Sequence, residues 1–187
     1  EFRARKFVAS ALNPHQTFLE MVGRENLVPE FAGKVTAFKY SNTTPLFTLH
    51  LALNERLCWK AADYDPDVDR AFYLICGLGG LDDIGELYKD CAARRLPRSL
   101  QLLGAQPAQH DPSQAPPGKC TAFFWQIAPG NLSDEEGGRG RWDRVRNEFT
   151  DRCVAHLTHY ATNLTPANIV HKFGVTPIDI ERHLPNM

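Results

Sequence analysis

The strongest strand pattern in the chain lies between residues 35 and 54. Its second half alternates large apolar residues with small or polar ones, the period of two expected of a strand with one buried face. The apolar positions are Phe47, Leu49, Leu51 and Leu53. The positions between them are Thr48, His50 and Ala52. We therefore expect the leucine face to be buried and the other face to have a different role.

Four further segments are predicted as strands because they alternate or are continuously apolar. They are residues 1–12, 70–77, 98–104 and 120–128. The proline-rich stretch from 105 to 119 is expected to be a long hairpin connection with neither helix nor strand. The tail from Thr165 to Met187 also contains several prolines and is expected to be an irregular connector.

Apolar residues recur at every third or fourth position over 81–96 and 142–160, which predicts two amphipathic helices. A shorter helix is expected over 13–22, because Asn13-Pro14 suits a helix start and Gly23 suits the position after its end. Strands outnumber helices, so the predicted fold class is α+β, with a mixed, mostly antiparallel sheet and helices packed on one face. The 142–160 helix is expected to cover the leucine face.

Composition adds few constraints. The chain has 187 residues, 43% hydrophobic and 23% charged, with a net charge of −1, as in an ordinary globular domain. The balanced charge gives no sequence-wide reason to expect nucleic-acid binding. The five cysteines are widely spaced and form no CxxC pair, which favours free thiols in a reducing compartment, hence a cytoplasmic location, and no zinc site.

Three local motifs resemble ligand sites, but each lacks a required residue. The glycine-rich loop 77–80 has Asp82 where a dinucleotide fingerprint needs its third glycine, and an acidic side chain there would repel a pyrophosphate. The alternating aspartates of 63–69 lack the glycine of a calcium loop. His156 and His159 have no third metal ligand at a suitable spacing. We expect turns and surface or packing residues at all three, with no metal bound.

His50 is the most informative single residue. It lies in mid-strand on the face opposite the large apolar residues, between Thr48 and Ala52. One interpretation is a structural histidine that is hydrogen-bonded within the fold. The other is a residue that lines a ligand cavity, because small and polar groups on a strand face are typical of such a surface.

Several longer strings together resemble the phytoene dehydrogenase-like flavoproteins, the NAD(P)/FAD-dependent oxidoreductases related to phytoene desaturase and more distantly to amine oxidase. Their order and spacing run nearly end to end along the chain. They are the strand-to-helix segment 8–18 (VASALNPHQTF), 49–53 (LHLAL), 111–119 (DPSQAPPGK) and 176–181 (TPIDIE). The chain departs from that family because it contains neither the N-terminal GxGxxG fingerprint nor the C-terminal glycine-rich flavin segment.

The resemblance implies a division of the chain. Residues 1–22 would be an edge strand and helix of an FAD-binding domain, 23–174 the substrate-binding domain, and 175–187 a linker that returns to the FAD-binding domain. It also implies that Ser10, Ala11 and Leu12 contact the cofactor. The chain would then be a substrate-domain fragment, inactive and free of FAD when isolated.

For the full-length protein, the resemblance implies an FAD-dependent oxidoreductase that transfers hydride between flavin and an apolar substrate. Thr48, His50 and Ala52 would line the substrate site, and the catalytic residues stay unassigned. The expected partners are the FAD-binding domain of the same polypeptide and an apolar small molecule, without nucleic acid; membrane association is left open. The alternative is a non-enzymatic module that binds an apolar ligand or another protein.

Overall fold

A computed structural model describes residues 4–39, 44–133, 135 and 137–184. The chain divides into two compact units. The first comprises Glu1–Ser41 with Ile180–Met187, and the second comprises Asn42–Asp179. The sheet and the candidate site both belong to the second unit.

The first unit is helical. A short helix of π type spans His15–Met21, and α1 spans Pro29–Ala37 with Pro29 in its first turn. The rings of Phe18 and Phe31 meet edge to face at 4.9 Å between centroids. His15 Nε2 lies 2.7 Å from the carbonyl oxygen of Val35, which ties the two helices together.

The strand predicted over residues 1–12 is wrong for its described part, and residues 1–3 lie outside the described residues. Residues 4–12 form no strand and are exposed, because no neighbouring strand pairs with them. The helix predicted over 13–22 is confirmed in position, with Asn13 Oδ1 accepting from the Gln16 N–H at 2.9 Å. Gly23 follows it at φ 87°, a conformation that favours glycine.

The second unit contains a five-stranded sheet in the order β2-β3-β4-β1-β5. The strands are β1 Leu46–Leu53, β2 Leu74–Cys76, β3 Leu102–Ala105, β4 Cys120–Ile127 and β5 Ile169–Val175. All the pairings between these described strands are antiparallel. The α+β class is thereby confirmed. The predicted 35–54 strand begins later than expected, because residues 35–37 belong to α1; residues 40–43 lie outside the described residues.

The long helix α4, Arg141–Leu157, packs on one face of this sheet, as the sequence predicts. Phe47 from β1 stacks on Trp142 and meets Phe149 edge to face at 4.9 Å. The buried leucines of β1 and Phe124 of β4 complete this core. Burying such large side chains contributes about 1.5–3 kcal/mol each, so this interface contributes strongly to the stability of the unit.

Two proline-rich segments are more ordered than the sequence indicates. The predicted connection 105–119 contains a helical turn, α3 Pro107–His110, followed by a 3₁₀ turn at Pro112–Gln114. The predicted irregular tail contains β5 and then α5, Pro177–His183. Proline begins each of these helical segments, where its missing N–H costs nothing. The helix α2, Leu81–Ala92, agrees with its prediction but ends four residues earlier than expected.

Candidate functional site

The sheet has a second face, opposite α4, which we call the open face. Its residues follow from the strand register as cross-strand rows. One row reads Phe173, His50, Phe123 and Ala105 across β5, β1, β4 and β3. The adjacent row reads His171, Ala52 and Thr121. Residues directly opposite in such rows have Cβ atoms about 4.5–5.5 Å apart, so each row acts as one contact surface.

Aromatic rings cover the β4 side of the open face. Phe123 and Trp125 lie 5.2 Å apart between ring centroids, and Tyr73 lies about 6 Å from both. Phe72 meets Tyr73 edge to face at 4.8 Å. Phe72, Tyr73 and Phe173 are each about half exposed. Large aromatic side chains that are left accessible on an ordered sheet are typical of a ligand or interaction surface.

A shallow groove of about 350 Å³ lies on this face. Ala52 is the small residue in its row, so the surface of the sheet has a depression between the side chains of His171 and Thr121. His50, Phe123 and Phe173 lie along the neighbouring row. Pro107 of α3 and Gln114 of the following turn also line the groove. The arrangement can therefore hold a small molecule between apolar side chains and a few polar groups.

His50 is exposed on the groove side, and desolvation by burial lowers its pKa from the ordinary 6.5. It is therefore neutral at pH 7, with one ring nitrogen as donor and the other as acceptor. Within the part of the chain that the structure describes, the side chains of His50, Thr121 and His171 have no hydrogen-bond partner. These polar atoms are available to a ligand.

The sequence-predicted residues are placed as follows. His50 and Ala52 line the groove. Thr48 is 8% exposed, in the row that also holds Trp125 and Val175, and it is not among the groove-lining residues. Ser10, Ala11 and Leu12 are exposed residues of the first unit, with Ser10 Oγ 2.8 Å from Thr17 Oγ1.

Sequence reasoning misses the contributions of β4 and β5 to this site. Thr121 and Phe123 alternate with the buried Ala122 and Phe124, so the period of two in β4 is a usable signal. His171 and Phe173 lie two residues apart in β5, but Lys172 between them is exposed, so β5 has no such alternation and is not predicted from the sequence.

The backbone N–H groups of the glycine-rich loop before α2 are already hydrogen-bonded to a side chain of that helix. Asp83 Oδ2 accepts from the N–H groups of Gly79 and Gly80, at 2.9 and 3.2 Å. Those N–H groups are the donors that would bind a phosphate at a helix start. The carboxylate satisfies them, and its charge opposes an anionic ligand.

The aspartates of 63–69 serve local structure. Asp65 accepts from the Asp67 N–H at 3.0 Å at the start of a 3₁₀ turn. Asp69 accepts from the Trp59 N–H at 3.0 Å. Among the described residues no group of three or more potential metal ligands is found, His156 and His159 included.

All five cysteines are free thiols, and four of them are buried. Burial raises the pKa of Cys76 and Cys91 to about 11 and that of Cys153 to about 12, so these thiols stay protonated and behave as small apolar groups.

The described residues contain no helix that is both long and apolar enough to span a membrane.

Comparison with known proteins gives one informative similarity. The chain is 29% identical over 146 residues to a limonene dehydrogenase subunit of Castellaniella defragrans. The match covers 76% of this chain but only 26% of that protein, so the chain spans about a quarter of its relative's length. No protein-family profile matches the chain. The similarity to a dehydrogenase subunit indicates an oxidoreductase context.

Proposed function

We propose that this chain is the substrate-binding part of an FAD-dependent oxidoreductase that resembles phytoene dehydrogenase. The open face of the sheet is its substrate surface, and Thr48, His50 and Ala52, which follow one another on that face of β1, belong to it. The observation that carries the proposal is the groove around Ala52, which joins exposed aromatic rings to polar side chains that have no hydrogen-bond partner among the described residues.

The similarity to a dehydrogenase subunit supports the redox part of the proposal. When bound, the flavin of such an enzyme would accept or donate a hydride. The described residues do not offer a binding site for its pyrophosphate, because Asp83 already satisfies the glycine N–H groups at the one helix start with the required loop. We therefore assign FAD binding to an FAD-binding domain of the same polypeptide.

The chain's own contribution is to bind and orient an apolar substrate and to keep water from it. Phe123 and Phe173 flank His50 in one row, so an apolar molecule that extends from Ala52 over this row contacts both rings. Burial of apolar surface in this way contributes about 25 cal/mol per Å². His50 is neutral and can orient the molecule through one hydrogen bond.

Tryptophan fluorescence tests the binding surface directly. Trp59 and Trp142 are buried in the core, whereas Trp125 is half-buried on the open face. Titration of the 187-residue chain with limonene, the compound in the relative's name, should therefore change the emission of Trp125. The Trp125→Phe variant is the matched control, and it should lose the response while the Trp59 and Trp142 emission persists. A response that persists in this variant would refute the assigned surface.

Flavin content tests the enzymatic part. The complete open reading frame that encodes this chain should purify with stoichiometric flavin absorbance, and the 187-residue chain should purify without it. A flavin-free complete protein whose Trp125 still responds to apolar compounds would support the alternative, a non-enzymatic apolar-ligand module. Stoichiometric flavin on the 187-residue chain would overturn the assignment of FAD to another domain.

A further inference from the structure

Two polar side chains of the groove lie in one row, on either side of Ala52, and His50 and Gln114 add polar groups from outside that row. His171, Ala52 and Thr121 lie side by side on β5, β1 and β4. The outer two are about 10 Å apart at Cα, twice the spacing between strands, and Ala52 has no side chain long enough to fill the gap. His50 is the neighbour of Ala52 two residues back on the same face of β1.

The remaining lining of the groove is largely apolar. Pro107, Phe123 and Phe173 present rings without hydrogen-bonding atoms. A hydrocarbon in this groove would contact those rings favourably. It would, however, cover the Thr121 hydroxyl and two imidazoles and leave them without water, which is unfavourable for each polar group left without a hydrogen bond.

We propose that the groove selects an apolar molecule that carries one hydrogen-bonding oxygen, an alcohol or a ketone, and that this oxygen lies over Ala52 between His171 and Thr121. This deepens the proposed function, on which it rests, by naming the substrate class. A hydroxyl both donates and accepts, so it can pair with the Thr121 hydroxyl and an imidazole nitrogen together. A carbonyl oxygen can accept from both.

Residue size supports the position of the oxygen. Any larger side chain at position 52 would fill the space between His171 and Thr121. The two rows differ in the same sense. In the row of His50 the neighbouring side chains are aromatic rings, and in the row of Ala52 they are polar. The apolar body of the molecule therefore lies toward Phe123 and Phe173, and its oxygen lies toward the Ala52 row.

The test compares p-menthane with menthol, which share one ten-carbon skeleton and differ by a single hydroxyl. Affinity for the 187-residue chain is measured through Trp125 emission. The quantity of interest is the ratio of the two dissociation constants in each variant relative to the same ratio in the parent chain, because this comparison cancels the different solubilities of the two compounds. The variants are Thr121→Val, which keeps the side-chain shape, and His171→Leu. His159→Leu, just after α4 and outside the groove, is the matched control.

Each groove variant should reduce the preference for menthol about fivefold, the factor that corresponds to one net hydrogen bond of ~1 kcal/mol. His159→Leu should leave the preference unchanged. If both compounds bind but neither groove variant alters the ratio, the oxygen site is wrong and the substrate surface of the proposed function survives. If neither compound binds, or if the control alters the ratio as much as the groove variants, the inference is overturned as well. Unchanged circular dichroism spectra in all variants will exclude misfolding as the cause.

Discussion

Gly174 provides the sharpest test of the architecture that supports the groove. It lies near the end of β5, one residue from Phe173, and its backbone faces the core. A Cβ at this position would clash with Thr150 Oγ1 and would lie 2.6 and 2.9 Å from Cζ and Cε2 of Phe47. Such distances are well inside van der Waals contact, so Gly174→Ala requires the neighbours to move.

Neither neighbour can move freely. Thr150 Oγ1 donates to the carbonyl oxygen of Arg146 at 2.7 Å, and its residue is buried. Phe47 is fully buried between Trp142 and Phe149. Overpacking in a core of this kind costs about 1–3 kcal/mol. For a chain of this size we expect a fall in melting temperature of about 2–4 °C per kcal/mol.

The assay is urea and thermal unfolding followed by tryptophan emission, which reports the second unit because all three tryptophans belong to it. Gly85→Ala is the matched control, since Gly85 is inside α2 and a Cβ there meets no atom of the described residues within 4 Å. That change should instead stabilise the chain by about 0.5–1 kcal/mol. The double variant Gly174→Ala with Thr150→Ala should recover part of the loss. If Gly174→Ala is as stable as the parent chain, the packing of β5 against α4 described above is incorrect.

Two histidines give further predictions. His50→Ala in the complete protein should lower kcat/KM for its apolar substrate by about fivefold to tenfold, the equivalent of one hydrogen bond, with the melting temperature unchanged. A loss of stability with unchanged kinetics would identify His50 as a structural residue instead. His156 has a pKa below the ordinary 6.5, chiefly because of burial, although a backbone hydrogen bond with Cys76 acts in the opposite direction. Its contribution to stability is therefore complete above pH 6.5 and is lost as the pH falls through the folded-state pKa, since the unfolded chain binds the proton more readily. Urea midpoints measured across this range should fall less steeply for His156→Gln than for the control His159→Gln, and equal slopes would contradict the assignment.

The strands with one strongly apolar face could be predicted from the sequence. In β1 and β4 the buried residues alternate with less buried ones, and this period of two can be seen in the amino-acid sequence. The amphipathic helix α4 is equally clear. What these elements have in common is a face that packs against a single large core, because burial of that face selects the apolar residues.

The edge strand β5 could not be predicted in this way. Most of β5 is exposed, it contains Lys172 and Gly174, and prolines stand at both ends of the segment. Its structure comes from pairing with β1, more than a hundred residues earlier in the chain, which no local pattern records. The position of His171 in the groove could not be predicted for the same reason. The residues before β1 show the opposite error, a predicted strand that is a helix. Val35 fits the pattern of a strand, but it belongs to α1, which Pro29 begins.

The order of the strands has a consequence for biosynthesis. The strand β1 is an interior strand of the sheet, yet it ends at residue 53, and its two neighbours begin only at residues 120 and 169. A ribosome therefore releases β1 well before either partner exists, with the four large apolar side chains of its core face and both backbone edges unprotected. Pairings this distant along the chain also form slowly. The nascent polypeptide must keep this strand from associating with other chains until β5 emerges, which makes chaperone supply during translation a determinant of yield.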